Sequence, residues 1–223
     1  MIDGNKYIFR PATTSDIDFL VETVIQAEKS FTGACGLANY FGISEDELRG
    51  YLFQMFEEEI DGCEFSVTSF IVVEYEGQVV AAMGGWLEGD NEDEMPSSIL
   101  KSNLIQYVMP IEAVLKAKEN IPIIKELSIK RQESTYQLEY SYVLPEHQGQ
   151  MLIQCLMKEH IKRAKSIGPH VKTIQAHAFE GNKVIVLINK MMGFKMTGRV
   201  IATNPRILEF FPYDTMVLFE KEL

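Results

Sequence analysis

The sequence predicts an α/β fold: a mixed, mostly antiparallel central sheet with helices on both faces and a helical insertion between the third and fourth strands. Three observations predict it. Residues 69–87 hold two β-branched, apolar runs joined by Glu76-Gly77, which reads as a hairpin. Residues 136–201 alternate strand, amphipathic helix, strand, capped helix and strand, the pattern of parallel neighbours joined by right-handed crossovers. Residues 97–133 are helical in pieces and interrupt what would otherwise pass directly from strand to strand.

The 223 residues suit one domain, residues 1–223, with the insertion at about 88–134. Hydrophobic residues make up 46% and charged residues 24%, as in ordinary globular chains. A net charge of −11 opposes a nucleic-acid binder, which needs a basic face. No apolar run has the length of a membrane span, so no membrane partner is expected. The opening MIDGNKYIFRPATTSD has no apolar signal core, and a cytoplasmic protein is expected. Cys35, Cys63 and Cys155 are scattered and fit reduced thiols. His147, His160, His170 and His177 form no ligand spacing, so no metal is expected. The sequence leaves a homodimer open.

Taken in order, Tyr7–Arg10 is a short strand stopped by Pro11. Thr13 to Asp16 offer caps for a helix over about Asp16–Lys29, with Ile17, Leu20, Val21, Val24 and Ile25 inward. Residues 30–43 read as an irregular, glycine-punctuated connector. Ser44-Glu45-Asp46-Glu47 is a capping box opening a helix to about Ile60, whose acidic end, Glu57 to Glu59, reads as solvated. Ser69–Glu74 and Gln78–Leu87 form the hairpin, and Gly84-Gly85 predicts a bulge or a close approach. The acidic run after Leu87 reads as a surface turn. In the insertion, Ile99–Val108, Ile111–Lys118 and Ile123–Lys130 are three helical pieces, the last restarted by Pro122. Tyr136–Leu144 is a buried strand ended by Pro145, and a helix begins near Met151 with Leu152, Leu156, Met157, Ile161 and Ala164 on one face. Lys172–Phe179 is a strand. Asn182 caps a helix through Met192, which Gly193 terminates. Phe194–Ile201 and Thr215–Lys221 are the closing strands.

The strand-loop-helix of residues 136–166 places helix N-terminal amides beside a polar loop, a generic anion site. Its segment YVLPEHQGQMLIQCLM resembles the strand-turn-helix of the GNAT superfamily, the Gcn5-related acyl-CoA N-acyltransferases, in which V-x-P precedes Gln/Arg-x-x-Gly-x-Gly/Ala. FEGNKVIVLINKMMGFKMTGR resembles the family's Asn-helix-Gly-Phe block. YIFRPATTSDIDFL and FPYDTMVLFEKEL match its first and last elements. The resemblance covers most of the chain outside 88–134.

The resemblance implies a GNAT-like fold, acetyl-CoA as co-substrate, and N-acetyl transfer to an amine of a small molecule by direct attack. It places acetyl-CoA on the strand edge at Val143 and Leu144, on the loop Gln148, Gly149, Gln150, Met151, Leu152 and Ile153, and along Asn182. Met151 and Ile153 occupy positions where the family has glycine or another small residue. Asn189 stands where many members carry a tyrosine as the acid for the departing thiolate, and an amide does not titrate near neutrality. A non-catalytic acyl-CoA-binding or interaction module is therefore the alternative. Among the chain's own residues, strand alternation puts Gln137, Glu139, Ser141 and Val143 on one face and Tyr136, Leu138, Tyr140 and Tyr142 on the other. Glu139 is the candidate base and Tyr142 the candidate proton donor. The same carboxylate would equally suit a partner arginine or nearby backbone. His177, sharing a face with Gln175 and Phe179, is a lesser candidate. An acidic surround favours a cationic acceptor.

Overall fold

The computed structural model describes residues 6–30, 32–58, 60–89 and 95–223. Among these residues seven strands form one sheet: β1 (Tyr7–Pro11), β2 (Phe70–Tyr75), β3 (Gln78–Leu87), β4 (Tyr136–Val143), β5 (Thr173–Phe179), β6 (Lys195–Ile201) and β7 (Thr215–Glu222). Their spatial order is β1-β2-β3-β4-β5-β7-β6. Among the described residues only the β4–β5 pairing is parallel.

Helices α1 (Ile17–Lys29), α2 (Gly36–Phe41), α3 (Glu45–Glu57), α4 (Ser97–Val108) and α5 (Ile111–Ile124) bury their apolar stripes against one face. Leu20, Val24, Leu48, Phe56 and Leu104 meet Phe70, Val72 and Ala82 there. On the other face α6 (Leu152–Ile167) and α7 (Lys183–Met191) meet Ile71, Val73, Tyr136, Leu138 and Ile174. The mixed sheet with helices on both faces and a helical insertion between β3 and β4 is the predicted architecture. Among the described residues no helix is long and apolar enough to cross a membrane.

Local chemistry explains most boundaries. The Ser44 hydroxyl accepts the Glu47 amide while the Glu47 carboxylate takes the Ser44 N–H, the reciprocal box that opens α3. Glu76 and Gly77 both have positive φ, as a two-residue hairpin turn requires. The Asn182 side chain accepts the Ile185 amide at the start of α7.

Four expectations need correction. Residues 30–43 are not wholly irregular: α2 forms because Ala38 and Phe41 find cover, and a Cβ on Gly36 would stand 1.6 Å from the Phe210 carbonyl oxygen. Pro122 does not restart a helix but lies inside α5, whose end is held by buried Ile123. The third helix stops at Glu57, before Ile60; Glu59, the acidic run 90–94 and the first five residues lie outside the described residues. Finally, β5 and β6 are not neighbours, because β7 enters between them and pairs antiparallel with both.

Candidate active site at the fork between β4 and β5

The parallel pair β4–β5 is short. Only Tyr136, Gln137 and Leu138 pair with Ile174, Gln175 and Ala176; beyond them the strands diverge. The register against β3 slips at the same place, between Met83 and Gly84, where Tyr140 takes a left-handed φ of 49°. This bulge has a local cause. A Cβ on Gly84 would lie 3.0 Å from the Glu139 carbonyl, and one on Gly85 2.7 Å from His160 Nδ1, so two glycines are needed where β4 presses on β3.

The extra residue corrects the alternation read from sequence. Tyr136 and Leu138 point to the α6 face and Gln137 and Glu139 to the α1 face. After the bulge Val143 lies on the α6 face, while Tyr142 meets Phe19 of α1 with ring centroids 6.1 Å apart. Tyr140 and Tyr142 therefore share the side of the sheet occupied by Glu139.

On the open side of the fork, Leu144 N–H donates to Val80 of β3. Alternation of an antiparallel ladder then turns the backbone groups of Ser141 and Val143 away from β3, into the fork. The Gln148 side-chain amide donates to the Val143 carbonyl at 3.3 Å. The loop continues through Gly149 (φ 78°) and Met151 (φ 54°) into α6. The amides of Gly149, Gln150 and Met151 donate to no backbone acceptor among the described residues. Those of Leu152 and Ile153 begin a helix and have no intrahelical acceptor. Five successive N–H groups thus stand at the positive end of α6. Met151 leaves 51% of its surface exposed, so its side chain turns out to solvent. A left-handed Met costs about 1–2 kcal/mol, of which glycine's extra chain entropy offsets about half. Met151→Gly is expected to raise stability by about 0.5–1 kcal/mol in urea unfolding; a loss of stability would refute strain at this residue.

Asn182 uses both ends of its amide: Oδ1 on Ile185 N–H and Nδ2 on the Ser30 hydroxyl at 2.9 Å, tying α7 to the end of α1. Asn189 is buried, donating to the Ile185 carbonyl.

At the apex of the fork lies a charged cluster whose members the sequence scatters. Arg131 Nη2 meets Glu139 Oε1 at 2.5 Å and Glu64 Oε1 at 3.5 Å, and its guanidinium lies 5.1 Å from the Trp86 ring. Lys101 Nζ reaches Glu64 Oε1 at 2.5 Å. His177 Nδ1 stands 3.6 Å from Glu139 Oε1. The Tyr140 hydroxyl donates to Glu28 Oε1 at 3.1 Å. The insertion, in α4 and the segment before β4, thus supplies both cations of the cluster.

Each charge state has a cause. Glu64 is wholly buried, which alone would push its carboxyl up; Lys101 and Arg131 outweigh this and hold it well below the usual range. Burial pulls against the Lys101 and Arg131 charges, and the facing carboxylates keep both above their ordinary values. Burial lowers His177, leaving a neutral imidazole. Burial pushes the half-buried Glu28 up to about 7, against a partial counter-effect of the Tyr140 hydrogen bond. Glu28 extends the inward stripe Ile17, Leu20, Val21, Val24, Ile25 by one turn. A carboxylate on an apolar stripe was the signal that sequence reading passed over. Among the described residues no group of three His, Cys, Asp or Glu side chains could hold a metal ion.

No protein-family model matches the sequence, and no curated protein matches it. Many solved structures share its fold. An N-acetyltransferase from Staphylococcus aureus Mu50 has a TM-score of 0.64 at 13% identity, over 96% of this chain and 100% of that one. The Drosophila melanogaster polyamine N-acetyltransferase, an enzyme that catalyses the formation of N-acetylagmatine, has a TM-score of 0.55 at 13% identity, over 97% and 100%. A GNAT superfamily phosphinothricin acetyltransferase from Sinorhizobium meliloti in complex with acetyl-CoA has a TM-score of 0.53 at 15% identity, over 98% and 89%. The class defined by this sheet order and fork is the GNAT fold. The chain adopts that fold across nearly its whole length.

Proposed function

We propose that this protein is an acetyl-CoA-dependent N-acetyltransferase acting on a cationic small-molecule amine by direct attack on the thioester. The observation that carries the reading is the fork itself: a parallel pair that stops after three residues, one arm running into a loop of unpaired amides, with a charged cluster at the apex.

In this reading the pantetheine arm lies in the fork and pairs with the fork-facing backbone groups of Ser141 and the N–H of Val143, with Leu144 and Gln148, whose amide holds the Val143 carbonyl, shaping that edge. The amides of Gly149 to Ile153 take the pyrophosphate. Met151 offers its amide with its side chain outside, so a glycine is not required there for access. Asn182 fixes the start of α7 beside the pantetheine. Glu139 at the apex holds Arg131, and Tyr142 with Phe19 walls the approach of the acceptor. The cluster holds three carboxylates, Glu28, Glu64 and Glu139, against two cations, Lys101 and Arg131, an acidic excess that suits an ammonium. Two solved relatives in fold carry acetyl-CoA, and others act on agmatine or polyamines, which supports the same ligand chemistry here.

The test is direct. Acetyl-CoA at a hundredfold excess over its dissociation constant should stabilise the protein by about 2.7 kcal/mol. Thiol release should follow on adding an amine from a panel of agmatine, spermidine and phenylethylamine. Absence of any stabilisation by acetyl-CoA would reject the reading. Stabilisation without thiol release would favour the second reading, an acyl-CoA-binding module without turnover, for which the buried amide of Asn189 in place of an acid speaks.

A further inference from the structure

We infer that Glu28 of α1, positioned by the Tyr140 hydroxyl, is the proton acceptor for the incoming ammonium, and that Glu139 of β4 is a positioning residue; this rests on the acetyl-transfer reading above. Three geometric facts support the assignment. Glu139 Oε1 is committed to Arg131 at 2.5 Å, with His177 behind it at 3.6 Å. Glu28 has no cation within ion-pair distance among the described residues. Its Oε1 accepts from Tyr140, and its second oxygen makes no hydrogen bond to a described residue. Tyr140 is the bulge residue itself, so the deformation that opens the fork also carries the hydroxyl that aims Glu28.

The groups facing Glu28 are Tyr140 and Glu139 from β4, Lys101 from α4, Glu64 from the segment before β2, and Cys35 at the start of α2. Burial and the two neighbouring carboxylates raise it, and Lys101 and Tyr140 lower it, to about 7. A carboxylate so placed takes a proton near neutral pH and returns it to solvent.

Glu28 carboxylate removes one proton from the acceptor's ammonium. The freed nitrogen lone pair attacks the thioester carbonyl carbon; the C–N bond forms and the carbonyl electrons move to oxygen. As they return, the C–S bond breaks and its pair goes to sulfur. The second amine proton passes to the thiolate, giving amide and free thiol. Glu28 then loses its proton to water.

The experiment is the pH dependence of kcat with acetyl-CoA and whichever amine of the panel turns over. Wild type should lose activity tenfold per pH unit below an apparent pKa of about 7. Glu28→Gln should lower kcat by about 100-fold or more, abolish that limb and leave the KM for acetyl-CoA within about twofold. Tyr140→Phe should keep most of kcat but move the limb upward, because the lost hydroxyl favoured the carboxylate. Glu28→Gln at wild-type kcat with the limb intact would overturn the assignment. That failure appears in the variant alone, whereas failure of the acetyl-transfer reading appears in wild type as no protection by acetyl-CoA.

Discussion

Arg131→Ala is expected to destabilise the protein by about 3–5 kcal/mol, the range for removing one member of a buried charge network. The guanidinium satisfies Glu64 and Glu139 at once and lies over Trp86. Without it, wholly buried Glu64 keeps Lys101 as its cation, and Glu139 is left with a neutral imidazole. Most of the cost is therefore an uncompensated carboxylate, not a lost attraction. The double variant Arg131→Met/Glu139→Gln removes both partners and should recover at least half of the loss. Urea unfolding at pH 7 measures both. A single-variant loss under about 1 kcal/mol would show that the cluster is a solvated surface feature despite its geometry.

Acid should act through Glu28 on one side and the buried imidazoles of His160 and His177 on the other. His160 is fully buried; its Nε2–H donates to the Met83 carbonyl at 3.0 Å, and its Nδ1 lies 2.9 Å from the Tyr136 hydroxyl. Burial depresses it from 6.5 to about 3. Its contribution is complete above pH 6.5 and is lost as pH falls toward 3, at about 1.4 kcal/mol per unit. Glu28 is raised from 4.5 to about 7, so folding takes up a proton there and gains stability as pH falls from 7 to 4.5, at the same slope. Between about pH 6.5 and 4.5 Glu28 and His160 nearly offset. Wild type should accordingly decline only gently down to about pH 4.5, through the lowered His177, and then fall more steeply, with the depressed Asp16 and Glu64 adding to the decline. In Glu28→Gln the offset is gone, and about 2.7 kcal/mol should be lost between pH 6.5 and 4.5. Urea midpoints at pH 6.5, 5.5 and 4.5 decide it. A variant as flat as wild type would mean that His160 titrates near its ordinary value or that Glu28 does.

What the sequence made legible was the part governed by local rules. The box at Ser44 and Glu47, the turn at Glu76-Gly77, the run Gln78–Leu87 and the cap at Asn182 each depend on residues within a few positions of one another. The bulge was half legible. Gly84-Gly85 signalled it on β3, but its counterpart at Tyr140 is fixed by register between strands more than fifty residues apart, so the face assignment of Tyr142 failed. The cluster was not legible. Glu28 and Tyr140 are 112 residues apart, and Arg131 and Glu64 are 67 apart. Lys101 and Arg131 looked like ordinary charges of a helical insertion. Pro122 inside α5 shows a strong local breaker overridden by packing of its neighbour Ile123.

The position of β7 sets a timetable for synthesis. It is made after both β5 and β6, yet it stands between them and pairs with every residue of β5 from Thr173 to Phe179. Until residues 215–222 emerge, β5 has only its three-residue contact with β4, and β6 has no partner strand at all. The N-terminal meander β1-β2-β3-β4 can assemble during translation, with its own helices against it. The second arm of the fork waits until residues 215–222 have been made, so the cleft is built in a single late event and a nascent chain cut short before Thr215 has no cleft to fill.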